Sequence, residues 1–219
     1  MSLKVKIFIT LAVVVVCAAA FVFATFSRIY TPTTGAKISK YADPQKALLV
    51  IDVQEDYTGL KGKQPVPFPN AAATIGVINK LIDKASASGF QVVYIRHLFD
   101  NNFLTRTFVG RGIEGLPGTE LDGRINVINR NEFTKKISDS FSNPQLEDFL
   151  IKNRVDELYL VGLDAAYCVH KTALGASNRG YKVTVVDDAI LSRKDLSDVL
   201  IQYKKDGITT TASKRLIAM

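Results

Sequence analysis

The chain has 219 residues, 47% of them hydrophobic and 22% charged, with 14 Gly, 7 Pro, 2 Cys and no Trp. This fits one sizeable core and excludes collagenous, coiled-coil, disulfide-framework and wholly disordered chains. The net charge is +7, but Lys4, Lys6 and Arg28 stand in a first thirty residues without an acid, leaving +4 scattered among acids; with no basic stripe interleaved with aromatics, nucleic acid is not an expected partner.

From Ile7 to Phe26 the sequence is IFITLAVVVVCAAAFVFATF, without a charge. As a helix it would span about 30 Å, the hydrocarbon thickness of a bilayer. Lys4 and Lys6 before it, and Arg28 and Tyr30 after it, suit a membrane interface. A secretory signal also begins with a short basic segment, and Ala18-Ala19-Ala20 and Val22-Phe23-Ala24 offer cleavage sites. The apolar run exceeds the roughly 7–15 residues of a signal core, which favours an uncleaved single-pass anchor over a product secreted or periplasmic after cleavage. Cations on both flanks leave the side of the membrane unassigned. Cys17 reads as an apolar filler of this segment.

Residues 1–30 are thus expected to form the anchor, 31–46 (TPTTGAKISKYADPQK) a polar tether, and 47–219 the folded domain. Strand-length apolar runs occur at Ala47–Val53, Gln91–His97, Ile125–Asn129, Glu157–Leu163, Lys182–Asp187 and, weakly, Ile208–Thr211. Helical spacing relates Ile75, Ile78, Leu81 and Ile82; then Leu146, Phe149 and Leu150; then Val169, Thr172, Ala173 and Ala176; then Leu196, Val199 and Leu200. Asn143-Pro144 marks a helix start and Gly89 a stop. Alternating strands and helices predict an α/β fold, a doubly wound, mostly parallel six-stranded sheet, with ligands bound beyond the carboxyl ends of the strands.

Three residues fall at that edge. Asp52 ends the first run, where an acid in an apolar strand needs a partner; by itself it would read as a loop cap. Cys168 follows the fourth run at the start of a helix, where free N–H groups and the helix dipole would favour a thiolate and hold an oxyanion; a depressed thiol pKa and fast alkylation are expected. Lys135 lies just past the third run, beside Lys136, and alone would read as solvated surface. An acid, an ammonium and a thiol converging from three strand ends are what a thiol hydrolase needs.

These residues carry a resemblance. LLVIDVQEDY, TKKISDSF and GLDAAYCVHKTALGASNRGYKVTVVDDA, in that order between Ala47 and about Ala212, resemble the isochorismatase-like cysteine hydrolases, which include nicotinamidases and carbamoylsarcosine amidases. The resemblance implies a Rossmann-like sheet, often in homo-oligomers, and an aspartate, lysine and cysteine triad at Asp52, Lys135 and Cys168. Lys135 is preferred to Lys136 because it keeps the family's six-residue spacing to Phe141. It also implies a non-proline cis peptide at Asp164–Ala165 and an oxyanion site of backbone N–H groups including Ala165 and Cys168. Ala165 and Ala166 stand where the family usually has Thr and an acid.

The family's nicotinamidases carry an Asp-x-His-x-x-x-His-like metal motif after the second strand; here YIRHLFDNN supplies only His97, so no metal and no cofactor is expected. The other histidine, His170, falls in the helix after Cys168. Tyr57, His97, Phe141 and Tyr167 are the expected substrate-pocket residues. Gly110–Gly115 satisfies G-x-G-x-x-G, but Leu-Pro-Gly-Thr rather than a helix follows, which argues for a mobile or pocket-covering loop, with Arg106 and Arg111 as contacts for an anionic group. Loops 59–70 and 98–123 are expected to set specificity. The expected activity is metal-independent hydrolysis of a small amide or carbamoyl-type C–N bond through a thioester. The alternatives are isochorismatase-type vinyl-ether hydrolysis, or a membrane-tethered binding protein without turnover.

Overall fold

The computed structural model describes residues 2–60, 68 and 70–218; most of loop 59–70 therefore lies outside the described residues. A long helix, α1 (Leu3–Tyr30), precedes the domain, N-capped by Ser2 and basic in its last turn at Arg28. It is long and apolar enough to cross a membrane, and none of its apolar window, Leu3–Phe21, is buried against the protein.

The run expected at 47–53 forms β1 (Gln45–Ile51), starting two residues earlier and buried from Ala47 onward. It lies at the centre of a six-stranded sheet of order β3-β2-β1-β4-β5-β6. The other strands are β2 (Gln91–His97), β3 (Glu132–Lys135), β4 (Val155–Leu163), β5 (Lys182–Leu191) and β6 (Thr209–Thr211). All five pairings are parallel, which explains why the inner strands read as unbroken apolar runs: both faces are covered.

Alternate residues of β1 feed two cores. Ala47, Leu49 and Ile51 pack with α5 (Pro144–Lys152), α6 (His170–Asn178) and α7 (Leu196–Lys205) through Leu146, Leu150, Ala173, Ala176, Val199 and Tyr203. Leu48 and Val50 pack with α3 (Ala71–Ala87) through Ile75, Ile78, Leu81 and Ile82, while Leu216 of α8 (Ser213–Ile217) adds to that side. Each buried leucine, isoleucine or valine among them contributes about 1.5–3 kcal/mol by burial. Two short helices, α2 (Glu55–Thr58) and α4 (Phe103–Phe108), lie in the segments after β1 and β2. Asn143 caps α5 by accepting from Gln145 N–H, with Pro144 at its first position, and α3 gives way at Gly89, whose φ is +76°.

Two expectations are corrected. The segment 125–129 is not a strand. Its amides are engaged by side chains, Asn126 N–H donating to Asn79 Oδ1 at 2.9 Å and Ile128 N–H to the Tyr94 hydroxyl at 3.1 Å, and Val127 and Ile128 are exposed. The third strand is instead Glu132–Lys135, so Lys135 ends a strand rather than following one. The cis peptide lies at Leu163–Asp164, one bond before Asp164–Ala165.

Residues 31–44 follow the domain surface. Thr33 donates from its N–H and its hydroxyl to Asp139 Oδ2, both at 2.7 Å. Arg179 donates to Thr33 Oγ1 at 2.9 Å and Thr34 O at 3.1 Å, and Ile38 N–H donates to Arg179 O at 2.8 Å.

β1 and β4 pair at Ile51 and Gly162; the Gly162 φ is +107° and a Cβ there would lie 2.1 Å from Ile51 O. Gly162→Ala is therefore expected to lose about 2–4 kcal/mol, since positive φ and overpacking act together. Thermal unfolding checks this; an unchanged Tm would refute the close approach.

Candidate active site

In a parallel sheet whose strand order reverses beside β1, the crevice at the carboxyl ends of β1 and β4 is where ligands bind. Asp52 leaves β1 with φ +57°, the left-handed region that aspartate tolerates better than most residues. Its N–H donates to Ile95 O at 2.9 Å, fixing the turn. Gln54 clamps the neighbouring strand end, accepting from His97 N–H at 2.7 Å and donating to His97 O at 3.3 Å.

Lys135, at the end of β3, sends its ammonium inward. Nζ donates to Asp52 Oδ2 at 2.8 Å and to Ser138 O at 3.3 Å, and lies 3.5 Å from His97 Nδ1. Its side chain is fully buried, whereas Lys136 is half exposed and pairs with Asp100 and Glu114. The family spacing thus selects the lysine that faces Asp52.

Cys168 sits in a π-helical turn, Ala165–Val169, between β4 and α6. Its sulfur is 3.8 Å from His97 Nδ1, and Asp52, His97 and Cys168 each present an atom within 4.8 Å of the others. Asp164 caps the turn: its carboxylate accepts from Ala166 N–H at 2.9 Å, and its carbonyl accepts from Tyr167 and Val169 N–H at 3.0 and 3.1 Å. The N–H groups of Ala165 and Cys168 are not among those it holds. Tyr203 donates its hydroxyl to Ala165 O at 2.6 Å, bracing the turn from α7.

A cavity of about 350 Å³ opens over Cys168, of ligand-site size. Tyr57, His97 and Tyr167 line it, as do Phe99, Phe108, Arg111 and Arg193. Phe141 does not: it lies in the core, its ring 5.4 Å from that of Tyr181. Arg106 lies in α4 and bonds Asn101 instead. The glycine-rich segment 110–115 borders the pocket through Arg111 and is fastened at Gly112. Gly112 N–H donates to Asp56 Oδ2 at 2.7 Å, and a Cβ on Gly112 would strike the Tyr57 hydroxyl. Arg193, Ile29 and Tyr30 are among the lining residues that the sequence does not announce. Arg193, two residues past β5, donates through Nε to Asp164 Oδ2 at 2.8 Å; its place at the ligand edge of a parallel strand was the available signal. Ile29 and Tyr30, at the end of α1, also line the cavity, and nothing local to their sequence points there.

Burial governs the charges. It pushes the Asp52 carboxyl up against the pull of Lys135. Burial also opposes the Lys135 ammonium, but attraction from Asp52 and Cys168 outweighs it and holds the amine above its ordinary value. His97 is driven well below its usual value, first by burial and then by Lys135, so it is a neutral imidazole. The Cys168 thiol is pushed up to about 12 by burial. This corrects the expectation of a depressed thiol: the helix-start effect is overruled by enclosure. Asp52, His97 and Cys168 do not fit a metal ion either, because the Lys135 ammonium already stands against two of them and β2 is followed by no second histidine.

The parallel, doubly wound sheet and this strand-end cluster place the chain among Rossmann-like hydrolases. The sequence model described as "Isochorismatase domain" matches residues 46–210, and the chain belongs to that family of hydrolases. It is 26% identical to the nicotinamidase of Escherichia coli over 180 residues, covering 66% of this chain and 82% of the relative. It is 26% identical to the N-carbamoylsarcosine amidase of Arthrobacter over 164 residues, covering 67% and 60%. The crystal structure of nicotinamidase from Bacillus subtilis superposes with a TM-score of 0.68 at 28% identity, over 76% of this chain and 99% of that one.

Two outcomes are expected. With Cys17 replaced by Ser, Cys168 in the ligand-free protein should react with iodoacetamide more slowly than a free thiol at neutral pH, the rate still climbing in strongly alkaline solution; a plateau near neutrality would contradict the protonated thiol. Lys135→Met should destabilise the fold by about 3–5 kcal/mol, because it strands a buried carboxylate. A raised folded-state carboxyl pKa means that stability is greatest below the unfolded value of about 3.9 and is lost as pH rises through the folded value. The loss should therefore shrink in acid and be largely reversed by adding Asp52→Asn. Denaturant unfolding at acid and neutral pH checks this, and an equal loss at both would count against it.

Proposed function

We propose that this protein hydrolyses a small amide or carbamoyl-type C–N bond through Cys168, without a metal. The observation that carries this reading is the buried meeting of Lys135 Nζ with Asp52 Oδ2 at 2.8 Å, within reach of the only cysteine of the domain. The names of the relatives, nicotinamidase and N-carbamoylsarcosine amidase, favour amides as the substrate class.

The residues divide the work as follows. Asp52 takes the thiol proton as sulfur adds to the substrate carbonyl, forming a C–S bond and a tetrahedral oxyanion. The raised basicity of Asp52 and the neutral resting thiol suit a transfer made only when substrate is present. Lys135 keeps its proton throughout and offsets the negative charge passing between Asp52 and the sulfur. The Ala165 and Cys168 N–H groups receive the oxyanion. Collapse breaks the C–N bond, with Asp52 returning the proton to the leaving amine. Water then gives a proton to Asp52 and attacks the thioester; the C–S bond breaks, the acid is released, and Asp52 returns the proton to the departing thiolate, restoring the thiol. The vinyl-ether reaction would leave the thiol without a role.

The same proposal takes α1 as an uncleaved anchor. Phe8, Ile9, Leu11 and Val13–Val16 are exposed in one continuous apolar cylinder, which water does not tolerate on this scale.

The test is ammonia release by the full chain from a panel of small amides, ureido acids and nicotinamide. Cys168→Ala should lower kcat/KM at least about a thousandfold, as expected for a lost nucleophile. No release from any compound by the folded wild type would overturn the amide reading.

A further inference from the structure

The end of α1 is built into the catalytic cavity. Ile29 O accepts from Ser138 N–H at 3.1 Å, and Ser138 O in turn accepts from Lys135 Nζ. The Tyr30 ring packs on Tyr167, with centroids 5.8 Å apart. Ile29 and Tyr30 thus stand at the cavity mouth, three and four residues past the uncharged run that ends at Phe26. Along a helix that is about 5–6 Å, within the headgroup layer flanking the hydrocarbon core.

α4 borders the same cavity, supplying Thr105 and Phe108. α4 has no buried residue; Phe103, Leu104 and Phe108 are 77%, 63% and 80% exposed. Three large apolar side chains on one helical turn and a half, with Arg106 among them, have the composition of a segment lying in a membrane interface. Cations stand beside the cavity too: Arg193, paired with Asp164, and its neighbour Lys194 sit over the Tyr167 ring at 5.4 and 5.3 Å, and the Lys194 ammonium suits an anionic lipid surface.

Resting on the anchor reading above, we infer that the mouth of the Cys168 cavity opens into the lipid headgroup layer, with Phe103 and Leu104 of α4 embedded in the surface of the membrane that α1 crosses. Continuity with α1 selects the occupant of this face: the bilayer holding residues 7–26 begins within one helical turn of the mouth that α4 borders.

The sequence has no tryptophan, so one introduced residue reports its own surroundings. The full chain carrying Phe103→Trp, and separately Leu104→Trp, is reconstituted in phosphatidylcholine and phosphatidylglycerol vesicles, with and without bromine on the acyl chains near the headgroup. Ile9→Trp is the companion variant for α1. A severalfold loss of Phe103→Trp and Leu104→Trp emission in the brominated vesicles, with shielding from aqueous iodide, supports the inference. Emission that iodide quenches and bromine does not overturns it, as does blue-shifted emission that neither quenches, which would mean that protein covers α4. Ile9→Trp separates the two readings. If bromine quenches it while α4 remains unquenched, only this inference fails; if it too remains unquenched, the anchor fails first.

Discussion

A buried charged pair holds the site together. The Lys135 ammonium and Asp52 carboxylate are enclosed by strand ends and contact each other at 2.8 Å. Neither is tolerable there alone. Their pairing ties the last residue of an edge strand, β3, to the turn after the central strand, β1. The ammonium also reaches Ser138 O, fixing the segment that leads into Asp139 and the 3₁₀ turn Ser140–Ser142. Removing either charge therefore touches the sheet edge, the crevice floor and the route to α5 together.

The same enclosure distributes protons in a way that suits a thiol held in reserve. It raises the proton affinity of Asp52 and of Cys168, while the lysine stays charged because two potential anions face it. A buried ammonium with one ionised partner is close to neutral as a group. In the proposed reaction a second anion, the thiolate, forms only as the first takes up a proton, so the negative charge would move between oxygen and sulfur rather than accumulate. His97 completes the arrangement as a neutral ring stacked on Phe99, with centroids 4.4 Å apart. It adds a wall to the crevice without adding a charge to it.

Much of this was legible in the chain because parallel strands are buried on both faces and write themselves as apolar runs. β1, β2, β4 and β5 each carry such a run, and Asp52 and Cys168 lie where the runs of β1 and β4 stop. β3 was not legible: EFTK has a single large apolar residue, while the more strand-like segment 125–129 is drawn off by Asn79 and Tyr94, residues far away in sequence. Phe141 follows Lys135 by six residues, but the 3₁₀ turn carries its ring inward to Tyr181. The state of the thiol is hidden from the sequence for a related reason. A helix start is visible locally, whereas full enclosure by Asp52, Lys135 and His97 exists only once four strand ends have been brought together.

The fastening of residues 33–38 changes what the segment between α1 and β1 amounts to mechanically. A slack chain of fourteen residues would let its ends wander about 20 Å apart, and the domain would tumble beneath α1 like a buoy on a rope. Here Asp139 and Arg179 grip Thr33, Thr34 and Ile38, and Ser138 grips Ile29. The domain is fixed to α1 as a rudder is to its post. Its heading is set when the chain folds, so whatever approaches the crevice meets one presentation of it and not an average over many.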